Sequence, residues 1–184
     1  MTTLPDRPNT ALLVIDVQNG VVSGAHERDQ IIANINTAIG AARAAAVPVI
    51  FVQHSNDNLV IDSEEWQIVA ELERDPSDRI VRKTYPDSFD DTELEAVLAD
   101  GGIGRVFITG AQTDECVRGT LHGAITRGYD VTLVADGHTT EDLSEWGAPT
   151  PDKVIAHTNL YWHYHRAPGR TAAVQPAAEL TFTS

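Results

Sequence analysis

Apolar residues fall along this chain in two alternating rhythms. ALLVID (11–16) is a short continuous apolar run closed by a carboxylate, the pattern of a strand buried on both faces. From 27 to 46 the spacing changes, and Ile31, Ile32, Ile35, Ala38, Ile39 and Ala42 recur as they would along one face of a helix. VPVIFVQH (47–54) then returns to a β-branched run. The same order comes again with Leu94, Val97 and Leu98 on a helix before RVFITG (105–110), and with a helix from about 114 to 127 before YDVTLVAD (129–136). A last helix from about 151 precedes TAAVQP (171–176). Strands alternating with helices predict one doubly wound α/β domain over residues 1–184, with a mostly parallel central sheet and helices on both faces. Ligands of such sheets bind beyond the carboxyl ends of the strands. Asp16, His54 and Asp136 are expected there, and Gly110 leads straight into the segment that holds the chain's single cysteine.

Composition narrows the function classes. With 184 residues and 42% hydrophobic content the chain has the material for one full core. Its formal charge is −14, and no Lys/Arg-rich stretch interrupts the acidic excess, so it repels phosphate backbones and anionic headgroups. Neither nucleic acid nor a membrane surface is an expected partner. A single cysteine forms no intrachain disulfide, and MTTLPDRPNT lacks the charged-then-apolar layout of a secretion signal. No apolar run approaches the roughly 20 residues that span a bilayer. The reading is a cytoplasmic protein.

Cys116 opens the helix whose apolar face is Val117, Leu121, Ala124 and Ile125, with Thr113 or Asp114 as its cap and Gly128 as its stop. A helix N-terminus favours a thiolate, so the position suits a nucleophile. Lone cysteines also serve as small buried hydrophobes, and position alone leaves both readings open. None of the seven histidines is marked by spacing as its partner. Asp16 at the end of the first strand and Lys83 in RIVRKTYPDSF offer a carboxylate to take the thiol proton and an ammonium to stabilise the charges; a helix cap and a solvated lysine are the ordinary alternatives. The pair His163 and His165 does not share a helix face, so an aromatic contact is expected there rather than a metal. GGIG (101–104) leads into a strand and is no phosphate loop.

The segments ALLVIDVQNGVV, VRKTYPDSF and FITGAQTDECVRGTLHGAITRGYDVTLVAD, in this order and spacing and with KVIAHTNLYW beyond them, resemble the isochorismatase-like cysteine hydrolases. That family includes nicotinamidases, N-carbamoylsarcosine amidases and related amidohydrolases. The resemblance implies a catalytic triad of Asp16, Lys83 and Cys116 acting on a small, non-peptide amide-type C–N bond. It also implies a cis Ala111–Gln112 bond, with the backbone N–H groups of Gln112 and Cys116 forming an oxyanion hole. Gln18, His54, Trp66 and Phe89 are the candidate substrate-binding residues, although Trp66 with Val69 and Ala70 also reads as the core face of a helix. Glu115 is a weaker candidate that supports the cysteine loop.

Two other functions are weighed against this one. Vinyl ether hydrolysis of the isochorismatase type proceeds in the family without the cysteine, so Cys116 argues for amides. A thiol redox sensor needs a cation near its sulfur but has no use for Asp16. The family's members commonly form symmetric oligomers, and TNLYWHYH (158–165) is aromatic enough to contribute to an interface of a homo-oligomer. Nicotinamidases of the family bind a divalent ion through an aspartate and two histidines after the second strand. Here HSNDNLVIDSEEW offers His54 and Asp57 but no second histidine, so no metal or other cofactor is expected.

Overall fold

In the computed structural model residues 2–182 are described. The chain runs through β1 (Asn9–Ile15), a short α1 (Asn19–Val22), α2 (Arg28–Ala44), β2 (Val49–His54), β3 (Arg79–Lys83), α3 (Leu94–Asp100) and β4 (Ile103–Ala111). A π-helical turn (Thr113–Val117) then leads into α4 (Arg118–Arg127), β5 (Asp130–Thr139), α5 (Pro151–Tyr164) and β6 (Ala172–Gln175). The strands form one sheet in the order β3-β2-β1-β4-β5-β6, with every pairing parallel.

Alternation along β1 divides the core. Leu13 and Ile15 face a cluster completed by Leu94 and Leu98 of α3, Leu121 and Ile125 of α4, and Trp162 of α5. Leu12 and Val14 face the opposite way, onto Ile31, Ile35, Ile39 and Ala42 of α2. Helices therefore cover both faces of the sheet, as the sequence periodicity predicts. Strand order reverses between β1 and β4, so a crevice opens beyond their carboxyl ends. Gly110 closes that crevice to working distance. Its φ is +122°, and a Cβ there would collide with the Ile15 carbonyl, so only glycine lets the end of β4 lie against the end of β1.

Several expectations are corrected. β3 is a strand the apolar pattern does not mark, because it lies at the sheet edge and keeps Arg79 and Arg82 in solvent. Residues 66–70 form no helix; an isolated Gln18–Ile68 bridge and turns hold them. β5 continues past Asp136 to Thr139. The helix after Cys116 begins as a π turn, with the Val117 N–H reaching back to the Gln112 carbonyl and the Arg118 N–H to that of Thr113. Neither expected cap acts as one: the Thr113 hydroxyl pairs with His138 Nδ1 at 2.9 Å, and Asp114 accepts from the Thr140 hydroxyl at 2.7 Å. Gly128 does end α4, at φ +111°. His163 lies in the last turn of α5, while the His165 ring stacks on Trp162 at 4.9 Å.

Candidate active site

Three strands deliver one cluster. Asp16 follows β1, Lys83 ends β3, and Cys116 lies in the π turn after β4. Lys83 starts two strands away from β1, and its side chain crosses the end of β2 to bring Nζ within 2.6 Å of Asp16 Oδ2. The same Nζ lies 3.1 Å from each of Cys116 Sγ, His54 Nδ1 and the Tyr85 carbonyl. An ammonium carries three hydrogens, so these four acceptors compete for it. Asp16 and Lys83 are 1% and 2% exposed, whereas Cys116 and His54 are partly open, so the Cys116 sulfur lies at the more open side of a buried ion pair.

Burial sets the electrostatics. Desolvation raises the Asp16 pKa, and the adjacent ammonium opposes it. Cys116 is pushed up to about 12, first by burial and then by the Asp16 charge, with Lys83 pulling the other way. The helix-terminus argument predicted a thiolate; the geometry instead holds a resting thiol beside a base. His54 is lowered to about 4 by burial and by Lys83, so its ring is neutral at pH 7. The carboxylate, thiol and ammonium titrate as one coupled set.

The Ala111–Gln112 peptide bond is cis. The Gln112 carbonyl accepts from the N–H groups of Glu115 and Val117. Oε1 of Gln112 is anchored by the Glu141 N–H at 2.8 Å, which ties the turn to the end of β5.

The other candidates divide. His54 touches the cluster directly. Gln18 is fully buried; its Nε2 donates to the carbonyls of His54 and Trp66, and its Oε1 accepts from the His54 N–H at 2.8 Å. Trp66 is 5% exposed, with the Arg82 guanidinium 5.3 Å above its ring. Phe89 is 6% exposed, packed on Tyr129 and covered by Arg127, and stands in the core rather than with the cluster. Glu115 points into solvent. Sequence reasoning missed Tyr85, whose contribution is a backbone carbonyl, and Asn56, whose only signal was the turn-like SNDN after the second strand. A groove of about 1300 Å³ runs along the free edge of β3, but Asp16, Lys83 and Cys116 do not line it.

Metal donors can be tested against this geometry. Asp16, His54 and Cys116 offer ligand atoms within 4.8 Å of one another, yet the Lys83 ammonium is already in contact with all three. His54 Nδ1 is occupied by that lysine, and Asp57 stands exposed. These residues do not fit the ion of the nicotinamidase pattern.

The profile of the isochorismatase domain matches residues 10–148, most of the chain. The chain belongs to the isochorismatase family. Within it, a streptothricin hydrolase of Streptomyces noursei is 34% identical over 143 residues, 74% of this chain and 57% of that protein. A ureidoacrylate amidohydrolase of Pseudomonas syringae pv. syringae is 30% identical over 183 residues, covering 72% of this chain and 75% of the relative. A solved isochorismatase family protein superposes with a TM-score of 0.80 at 29% identity, over 90% of this chain and 98% of that one. Isochorismatase-family membership thus covers the segments that carry Asp16, Lys83 and Cys116. The chain spans 57% and 50% of the two streptothricin hydrolases it matches.

Proposed function

We propose that this chain is a cysteine-dependent hydrolase of a small, non-peptide amide-type C–N bond, working through a thioester. The observation that carries the reading is the single Lys83 ammonium holding Asp16 at 2.6 Å and Cys116 Sγ at 3.1 Å in one buried cluster. Relatives named as a streptothricin hydrolase and a ureidoacrylate amidohydrolase support the reaction class.

Asp16 takes the thiol proton as Sγ attacks the substrate carbonyl, and Lys83 offsets the charge that appears on sulfur. Because the resting thiol is pushed up to about 12, proton transfer and attack proceed together rather than from a preformed thiolate. The N–H groups of Gln112 and Cys116 stabilise the tetrahedral oxyanion. Protonated Asp16 gives its proton to the departing amine. The regenerated carboxylate then deprotonates the water that cleaves the thioester to the acid. Gln18, with its amide spent on the His54 and Trp66 backbones, acts by positioning His54.

The redox-sensor alternative is disfavoured by the same thiol, since sensor cysteines are low-pKa thiolates. Vinyl ether hydrolysis leaves the contact between Lys83 and Cys116 without a use. Ammonia release from a panel of small amides, carbamoyl compounds and ureides tests the reading; a panel on which wild type and Cys116→Ala behave alike would overturn it.

Activity on the responsive amide is expected to survive exhaustive dialysis against a chelator. Loss on dialysis with recovery on adding zinc, iron or manganese would contradict the mechanism. A homo-oligomer is part of the same proposal, and the solvent-facing Leu160 and Tyr164 of α5 supply apolar surface for it. Light scattering at micromolar concentration is expected to give a multiple of 19.9 kDa; a particle of that mass alone would refute it.

A further inference from the structure

Hydrogen bonding around His54 does not close. Nδ1 of its ring faces the Lys83 ammonium at 3.1 Å. An ammonium only donates, so Nδ1 is the bare nitrogen and the proton of the neutral ring sits on Nε2. That Nε2 faces Nδ2 of Asn56 at 3.2 Å. The Asn56 amide cannot turn round to help, because its Oδ1 accepts the backbone N–H groups of Asn58 at 2.8 Å and Leu59 at 2.9 Å. Two N–H donors therefore stand side by side, with no acceptor for either among the described residues. Protonating His54 would add a donor rather than remove one, and burial beside Lys83 already keeps the ring neutral.

Position turns this mismatch into a site. Asn56 is exposed and His54 partly so, and a ring nitrogen of His54 lies within 4.8 Å of Cys116 Sγ. Backbone bonds fix the loop at both ends: Asn56 and Leu59 exchange N–H and carbonyl groups, while Gln18 pins the His54 backbone. We propose that His54 Nε2 and Asn56 Nδ2 form an acceptor subsite that clamps a carboxylate or carbonyl oxygen of the substrate. The enzyme thereby selects amides that carry such an oxygen close to the scissile carbon. This inference rests on the reading of Cys116 as the nucleophile and adds the substrate class to it. An oxygen placed between the two donors accepts from both at once, so the selectivity comes from the paired donors that the site presents.

The test uses Cys116 as its own reporter, with bromoacetate, bromoacetone and allyl bromide as probes. In each reaction the S–C bond forms as C–Br breaks, bromide leaves and the thiol proton passes to Asp16. Because the chain has one cysteine, the adduct seen by intact mass in wild type and missing from Cys116→Ala is the Cys116 adduct. Allyl bromide has a methylene where the other two carry oxygen. Relative to N-acetylcysteine, the rates of bromoacetate and bromoacetone over allyl bromide are expected to be raised about tenfold or more at Cys116. Asn56→Asp keeps the acceptor that Asn58 and Leu59 need but gives His54 Nε2–H a partner of its own, and is expected to return both ratios to the free-thiol values. Bromoacetone is uncharged, so its fall cannot come from repulsion by the added carboxylate. A raised ratio for bromoacetate alone identifies the bound group as a carboxylate; raised ratios for both identify any carbonyl oxygen. Wild-type ratios equal to those of the free thiol, or ratios that Asn56→Asp leaves raised, overturn the subsite while leaving the nucleophile in place. Failure of all three reagents to alkylate Cys116 counts against the nucleophile and the subsite together.

Discussion

Cys116→Ala is expected to abolish amide hydrolysis while leaving the fold intact. The side chain is small and partly open to solvent, so its loss removes few packing contacts, and circular dichroism and the thermal midpoint should stay close to wild type. Its chemical loss is complete, because no other thiol exists in the chain to form the thioester. Asp16→Asn should follow it closely, since removing a general base costs about 10² to 10⁴ in rate. A slow amide incubated with wild type should add an acyl mass that Cys116→Ala never shows. Either variant retaining more than about one tenth of wild-type turnover would leave the mechanism without its nucleophile or its base.

Lys83→Met should abolish activity and also destabilise the fold, in a way that depends on pH. Methionine roughly conserves the volume of the aliphatic stem but strips Asp16 of its only ion-pair partner among the described residues. Leaving one member of a buried pair uncompensated costs about 3–5 kcal/mol. Protonation of Asp16 relieves that cost, and the direction follows from linkage. Burial already raises the folded pKa of Asp16, and removing the ammonium raises it further. A carboxyl whose folded pKa exceeds its unfolded value, about 3.9, binds its proton more tightly in the native state. Stability therefore falls as pH rises from that value through the folded pKa, and levels off above it. Denaturant melts of both proteins from pH 4 to pH 8 should show the variant's deficit smallest at the acid end and largest at the alkaline end. A deficit that stays constant across this range would mean that Asp16 and Lys83 do not share the buried charge pair described here.

How far each feature could be read in advance depended on whether its cause was local. β1, β2, α2 and α5 carry their burial pattern within their own residues, so periodicity placed them to within a few positions. β3 escaped because an edge strand buries little, and RIVRK shows only Val81 and Lys83 to the interior. The alternative of a helix at 66–70 rested on apolar residues at helical spacing, but Gln18 and Gln53 claim the Trp66 carbonyl and impose an irregular path. The thiolate expectation failed for a similar reason. It used the helix end, which is local, and not burial or the Asp16 charge, which come from strands far away in the chain.

What the sequence by itself determined is the alternation of strands and helices and the two-faced burial that goes with it, which follow from side-chain type and spacing; Asp16, Lys83 and Cys116 stood out together only through the resemblance of their segments to the family. Only the tertiary structure decided that a side chain from the sheet edge crosses β2 to meet a carboxylate at 2.6 Å and a sulfur at 3.1 Å. It alone decided that Gln18 is spent on the His54 and Trp66 backbones, that Phe89 stands in the core, and that His54 Nε2 and Asn56 Nδ2 meet at 3.2 Å. The physical reason is that hydrogen-bond saturation, desolvation and charge coupling are set by neighbours across the fold. Strand order and crossover length fix those neighbours, and the linear spacing of the residues does not record them.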